Sequence, residues 1–199
     1  MTIKAQQKED IIWTAECPIT YVDLYTPREA RFEGQKPQYQ CTVLIDKADS
    51  DTLTEFKKAV LAASEKLTDT DPEKPFETLL NDGNIRGDRD GNPIEGFTDR
   101  WYFTAKSQYK PNLCVLTADG TRPAEEGEIK NWDKGQAVVR LRAYDFQGRK
   151  GISAHILGFC KTGTTRTQHD AAAHNDNLFA HLKGGATSDS KAQIDDLPF

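Results

Sequence analysis

Several things are scarce in this 199-residue chain. No apolar run approaches the ~20 residues needed to cross a bilayer. The opening "MTIKAQQKED" lacks the apolar stretch of a secretion signal. Both absences predict a cytoplasmic protein with no membrane partner. Cysteine occurs four times, at Cys17, Cys41, Cys114 and Cys160, with no C-x-x-C pair and no histidine at metal-ligand spacing. Cys17, Cys41 and Cys114 lie among apolar residues, so reduced core thiols are expected. There is no P-loop, no G-x-S-x-G and no G-x-G-x-x-G. No catalytic residue, cofactor or metal is therefore assigned, and the chain reads as a non-enzyme. Positive charge is not in excess either: the net charge is −5, which excludes a protein basic all over. The last sixteen residues hold Asp189, Asp195 and Asp196 against Lys191 alone, so the rest of the chain is near −3. Any site for a polyanion must come from how the charges are arranged.

What the chain does have is strands. "IIWTAECPITYVDLY" (Ile11–Tyr25) is rich in aromatic and β-branched residues and reads as a strand interrupted near Pro18. "TPREARFEGQKP" reads as a loop, and "QYQCTVLI" as the next strand. The period then changes. In "SDTLTEFKKAVLAASEKL" (Ser50–Leu67), Leu53, Phe56, Val60 and Leu67 share a helical face with Ala59 and Ala63, and Thr52 and Glu55 have capping-box spacing. Residues 68–99 form a long loop rich in Asp, Gly and Pro, of the kind that is usually functional or mobile. Strands follow at Arg100–Ser107, Asn112–Thr117, Gln136–Phe146 and Gly151–Lys161, the last two joined by a hairpin turn "QGRK". A short helix is possible around Ala171–Leu182, and disorder is expected from Gly184 onward. The order predicts a mainly β fold: an OB-fold-like five-stranded barrel with one α-helix, long loop insertions and a disordered acidic C-terminal tail. A β-sandwich is the alternative. The expected division is a domain over residues 1–183 and a flexible tail over 184–199.

Strand alternation nominates a site. In "VVRLRAYDF", Val139, Leu141 and Ala143 suit the core, which turns Arg140, Arg142, Tyr144 and Phe146 the other way. In "RWYFTAKSQYKP", Trp101, Phe103 and Ala105 suit the core; Tyr102, Thr104 and Lys106 oppose them, with Tyr109 and Lys110 just beyond. Arg100 starts that strand, Arg149 and Lys150 sit at the hairpin, and Arg86 and Arg89 lie in the preceding loop. Single-stranded nucleic acid wants this interleaving. Phosphates need Lys and Arg along a track, and unpaired bases stack on rings at ~1–3 kcal/mol each. The expected DNA-binding set is Arg100, Tyr102, Lys106, Tyr109, Lys110, Arg140, Arg142, Tyr144, Phe146, Arg149 and Lys150.

Competing chemistry is thin. "DGNIRGDRDGN" offers Asp82, Asp88 and Asp90, but a calcium loop counted from Asp82 has Pro93 where a Glu is required. Turns are the preferred reading. A metal-dependent nuclease using these three carboxylates, and a protein-binding adaptor without DNA binding, are the alternative functions. His155 reads as structural; His169, His174 and His181 form at most a remote metal cluster.

The chain ends in Asp195-Asp196-Leu197-Pro198-Phe199. This tail resembles the acidic tip of bacterial and phage single-stranded-DNA-binding proteins. The body is similar to a phage family of such proteins in "PQYQCTVLI", the "RDGN" turn, "WYFTAKS" with "KP" beyond, and "VRLRAYDFQGRKGI". The likeness spans roughly residues 37–160, with the tail as a second match. It implies an OB fold that coats single-stranded DNA in phage replication and recombination. It also implies a possible homodimer or cooperative assembly, and a tail (Asp195, Asp196, Leu197, Pro198, Phe199) that contacts replication enzymes such as polymerase and helicase–primase. With two adjacent Asp residues, this tail is less acidic than many.

Overall fold

The computed structural model describes residues 10–30, 34–65, 67, 79–146 and 149–164, without the side chains of Phe146 and Arg149. The expected helix near Ala171–Leu182, the acidic tail, and His169, His174 and His181 lie outside the described residues.

Among the described residues, nine strands and one α-helix follow in the order β1 (Ile11–Trp13), β2 (Cys17–Arg28), β3 (Gln38–Asp46), α1 (Ser50–Ser64), β4 (Asn81–Asp82), β5 (Arg100–Ser107), β6 (Asn112–Thr117), β7 (Gly120–Pro123), β8 (Asp133–Phe146) and β9 (Arg149–Thr164). Five of them close into a ring: β2 pairs with β3, β3 with β5, β5 with β9, β9 with β8, and β8 with β2. All pairings in the ring are antiparallel except β5–β9. The expectation of a mainly β, five-stranded, OB-like fold with one helix holds. β1 extends the sheet beside β8, and the β6–β7 hairpin extends it beside β9.

Alternation explains the core. Val43 and Ile45 of β3, Phe103 and Ala105 of β5, Val139 and Leu141 of β8, and Ile152, Ala154 and Ile156 of β9 are all buried. Helix α1 lays Phe56, Ala59 and Ala63 onto this core, with the Phe56 and Phe103 rings 5.3 Å apart. Trp101, expected in the core, is only half-buried; it lies beside α1 with the Lys47 ammonium 5.0 Å from its ring centre.

Several local expectations change. The first strand breaks at residues 14–16, not at Pro18, which pairs with Lys134 inside β2. Strand β2 runs on to Arg28, through residues that read as loop. The helix cap is Asp49, whose carboxylate accepts from the Thr52 amide at 3.0 Å; Thr52 instead accepts from the Ala15 amide at 2.9 Å, tying helix to sheet. Glu55 pairs with Lys58. Arg149 and Lys150 belong to β9, because Phe146 pairs with Arg149 and Asp145 with Lys150. Cys17 and Cys41 are buried, and burial drives the Cys17 thiol up to about 11. Cys114 and Cys160 are only half-buried neighbours across the β6–β9 pairing. Among the described residues no helix is long and apolar enough to cross a membrane.

The core makes a direct prediction. Phe56→Ala removes a ring that is 2 % exposed and costs about 3–5 kcal/mol, read as a lower urea midpoint at unchanged slope. Leu61→Ala, on the same helix but 65 % exposed, stays within about 0.5 kcal/mol.

Candidate nucleic-acid interface

Two adjoining grooves cross the outer face of the ring. The larger, about 1450 Å³, has β8 and β9 on one side and the end of β5 on the other. Its lining includes Lys106, Tyr109, Arg140, Arg142 and Tyr144, with Ser153, His155 and Leu157 from β9. The smaller, about 580 Å³, lies over β2, β3 and β5, and is lined by Tyr21, Arg28, Glu29, Lys36, Gln40, Thr42 and Arg86 among others. Gln35, Gln38, Thr104 and Lys106 line both, so the two grooves are continuous. The β3 and β5 strands are the second and third of the ring, and this is the face on which OB folds bind oligonucleotides.

The alternation that buries Val139 and Leu141 is what places Arg140, Arg142 and Tyr144 in the groove. A register shift between Val138 and Val139 precedes this run and leaves it undisturbed. Tyr144 is opposite Gly151 in the β8–β9 ladder. A Cβ at that glycine would stand 2.6 Å from the Tyr144 hydroxyl, so only glycine lets the ring lie where it does. Arg140 stands opposite His155 and Arg142 opposite Ser153. The Arg140 Nε is buried without a hydrogen bond among the described residues, and the Asp10 carboxylate is 3.8 Å away. Burial first, then the Arg142 and Arg140 guanidiniums, hold His155 below the ordinary imidazole range. His155, read from sequence as structural, is therefore an uncharged groove residue at neutral pH.

Charge is distributed unevenly. Lys47 pairs with Asp82 at 2.7 Å, Lys161 with the buried Asp133 at 2.8 Å, and Arg122 with Glu128. By contrast, Arg28, Lys36, Lys106 and Arg142 make no ion pair among the described residues, and all line the grooves. A chain with a net charge of −5 thus still gathers these four cations, none of them ion-paired among the described residues, along one track.

The other nominated residues are placed differently. The Arg100 guanidinium donates to the Gly96 carbonyl at 2.7 Å, at the base of the preceding loop. Tyr102 is edge-on to Phe97, ring centres 5.1 Å apart, with Arg86 4.7 Å from its own ring centre. Lys110 is exposed in the β5–β6 turn beside Tyr109, which is 83 % exposed. Lys150 lies 3.8 Å from Asp145. The Phe146 and Arg149 side chains, and Asp195, Asp196, Leu197, Pro198 and Phe199, fall outside the described residues. Sequence reading missed Tyr21, which sits in a stretch read as strand but at an irregularity of the β2–β3 register, and Arg28 and Lys36, which sit in the stretch 26–37 read as loop.

Two of the three carboxylates of the nuclease alternative are occupied. Asp82 accepts from Lys47 and from the Asn84 amide, and Asp88 accepts from the Asp90 and Asn92 amides at 2.9 Å, closing a turn. Among the described residues no group of three or more His, Cys, Asp or Glu could hold a metal ion.

Comparison with known proteins agrees with this arrangement. A single-stranded-DNA-binding protein of bacteriophage Enc34, solved in complex with single-stranded DNA, is 19% identical with a TM-score of 0.62, covering 80% of this chain and 89% of that one. A C-terminal truncation of the Enc34 protein is 20% identical with a TM-score of 0.62, over 80% and 88%. The single-stranded DNA-binding protein gp2.5 of bacteriophage T7 is 13% identical with a TM-score of 0.51, over 80% and 95%. At these identities the likeness is one of fold. No curated protein sequence matches the chain. The family described as "Enterobacter phage Enc34, ssDNA-binding protein" matches residues 11–177, and the chain belongs to that family.

Proposed function

We propose that this chain binds single-stranded DNA, without sequence preference, along the continuous groove over β2, β3, β5, β9 and β8. The observation that carries the reading is the alternating wall of the larger groove: Lys106, Arg140 and Arg142 for phosphates, with Tyr109 and Tyr144 for bases. Arg28 and Lys36 extend the phosphate track across the smaller groove. The Enc34 relative, solved with single-stranded DNA, supports the same occupant. The protein serves phage DNA replication and recombination in the host cytoplasm, with no catalytic step of its own.

The C-terminal segment completes the proposal. Asp195 and Asp196 imitate phosphates and Phe199 imitates a base, so residues 184–199 compete with DNA for the groove on the domain of residues 1–183. A tethered competitor acts at ~mM effective concentration, so weak self-binding suffices. DNA displaces the tail, which then recruits polymerase or helicase–primase through Phe199 and the two carboxylates. Pairing of two copies, or cooperative assembly along DNA, fits the same scheme.

Three measurements test this. Binding of the chain to oligo-dT should weaken with salt, and Lys106→Ala should lower the log–log slope by about 0.7, the value for one phosphate on a single strand. A slope insensitive to Lys106 and Arg142 removes the groove. Deleting residues 184–199 should tighten oligo-dT binding, admit weak duplex binding and abolish capture of a replication enzyme; unchanged DNA affinity removes the competition. The third is a pH series. His155 is neutral in the free groove because its pKa is depressed; a phosphate beside Arg140 and Arg142 relieves that repulsion and raises it. Affinity should therefore increase as pH falls from 7.5 to 5.5, and His155→Gln should flatten the dependence. A flat profile in the unaltered protein places phosphate away from His155.

A further inference from the structure

Tyr21 is the oddest residue in the sheet. It sits inside β2 with φ +50, a left-handed backbone that a tyrosine rarely adopts. The β2–β3 register shifts there, between Thr20 and Asp23. The flanking chain is clamped from outside: the Val22 amide donates to Asn131 Oδ1 at 2.9 Å, and the Trp132 amide donates to the Ile19 carbonyl at 2.7 Å. Strain of this kind persists only where the surroundings over-determine it. Its effect is to present a ring that stays 46 % exposed on the wall of the smaller groove.

The insertion between α1 and β5 meets that ring. Arg86 follows its short 3₁₀ turn, and the guanidinium lies 5.3 Å from the Tyr21 ring centre. The same guanidinium is 4.6 Å from the Phe97 ring centre and 4.7 Å from that of Tyr102. The insertion is itself anchored: Asp82 to Lys47, and the Asp99 amide to Asn84 Oδ1 at 2.6 Å. Phe97 and Tyr102 already provide Arg86 with two rings. A purely structural cation would not need a third, strained and half-exposed.

Resting on the reading of the groove as a single-stranded DNA site, we propose that Tyr21 is a base-stacking platform and that Arg86 is the positioning residue that holds it. The insertion Asn81–Asp99 thereby serves binding by bracing the groove wall. A base on Tyr21 has Arg28 and Lys36 in the same groove, and Lys106 at its junction with the larger one, for the flanking phosphates. The chemistry recognised is an unpaired base of any identity, since every base offers a π face.

The test uses the full chain and oligo-dT carrying 5-iododeoxyuridine. Photocrosslinks should map to Tyr21 and fall with Arg86→Gln at unchanged thermal midpoint. Tyr21→Asn removes the ring while tolerating left-handed backbone. It should weaken binding about tenfold, the scale of one lost stack, with the salt slope unchanged; Tyr21→Phe should bind within about twofold of the parent, and Arg86→Lys should restore part of what Arg86→Gln loses. Crosslinks only elsewhere, or parental affinity in Tyr21→Asn while Lys106→Ala still loses affinity, overturn the platform and leave the groove standing. Loss of neither with Lys106→Ala nor with Tyr21→Asn overturns the groove reading beneath it.

Discussion

Five strands can each bury one face only if the sheet closes on itself, and here closure happens at two short seams. β2 meets β8 through Cys17–Gly135 and Pro18–Lys134, and β5 meets β9 through the single parallel pair Ala105–Ala154. Small residues sit at both: Gly135, where a Cβ would stand 2.1 Å from the Cys160 carbonyl of β9, the strand on the other side of β8, and Ala105 with Ala154. Once closed, the inner face is committed to Val43, Phe103, Val139, Leu141 and Ile156, and every alternate residue must face outward. The groove is a consequence of that commitment. The short β5–β9 pairing leaves the β5 end and β9 splayed, and the larger groove follows this opening.

Electrostatics then separates scaffold from surface. Carboxylates of the insertion and of the acidic stretch leading into β8 take up cations of the scaffold, as Asp82 with Lys47, Glu128 with Arg122 and Asp133 with Lys161. The groove cations Arg28, Lys36, Lys106 and Arg142 have no such partner among the described residues. Their potential is therefore directed outward, into a concavity that focuses it. Net charge alone, at −5, points the wrong way; the sign of a binding surface is set by which charges are left uncompensated.

Where one face is plainly apolar, the sequence was legible. The alternation in Arg100–Ser107 and Gln136–Phe146 identifies β5 and β8, and it places Lys106, Arg140, Arg142 and Tyr144 outward. The helical period identifies α1 through Phe56, Ala59 and Ala63. Legibility failed where tertiary contacts override the local pattern. Tyr21 sits at a bulge, so alternation counted through it loses phase. Asp49 won the cap from Thr52 because Thr52 is drawn to the Ala15 amide, a partner 37 residues away. Tyr102 lies on the expected face, yet the insertion folds over it and gives it to Phe97 and Arg86. Nothing in the spacing of residues 81–99 announces where Arg86 lands.

The polar groups between the cations bear on why the proposed binding is tolerant of sequence. Reading a base requires free donors and acceptors aimed at its edge. In this groove many of them are spent on one another. Gln40 Nε2 donates to Asp23 at 2.9 Å, Thr42 and Thr104 share a hydrogen bond at 3.3 Å, and Ser153 donates to the Arg142 carbonyl at 3.2 Å while contacting His155. Turning any of these toward a base would break an internal bond and forfeit about 0.5–1.5 kcal/mol, comparable to what a specific contact returns. Cations and ring faces suffer no such competition: phosphate and π surface are common to every nucleotide. The internal hydrogen bonds that hold the strands in register thus also withdraw several base-reading groups from the groove, while its cations and rings stay open to any nucleotide.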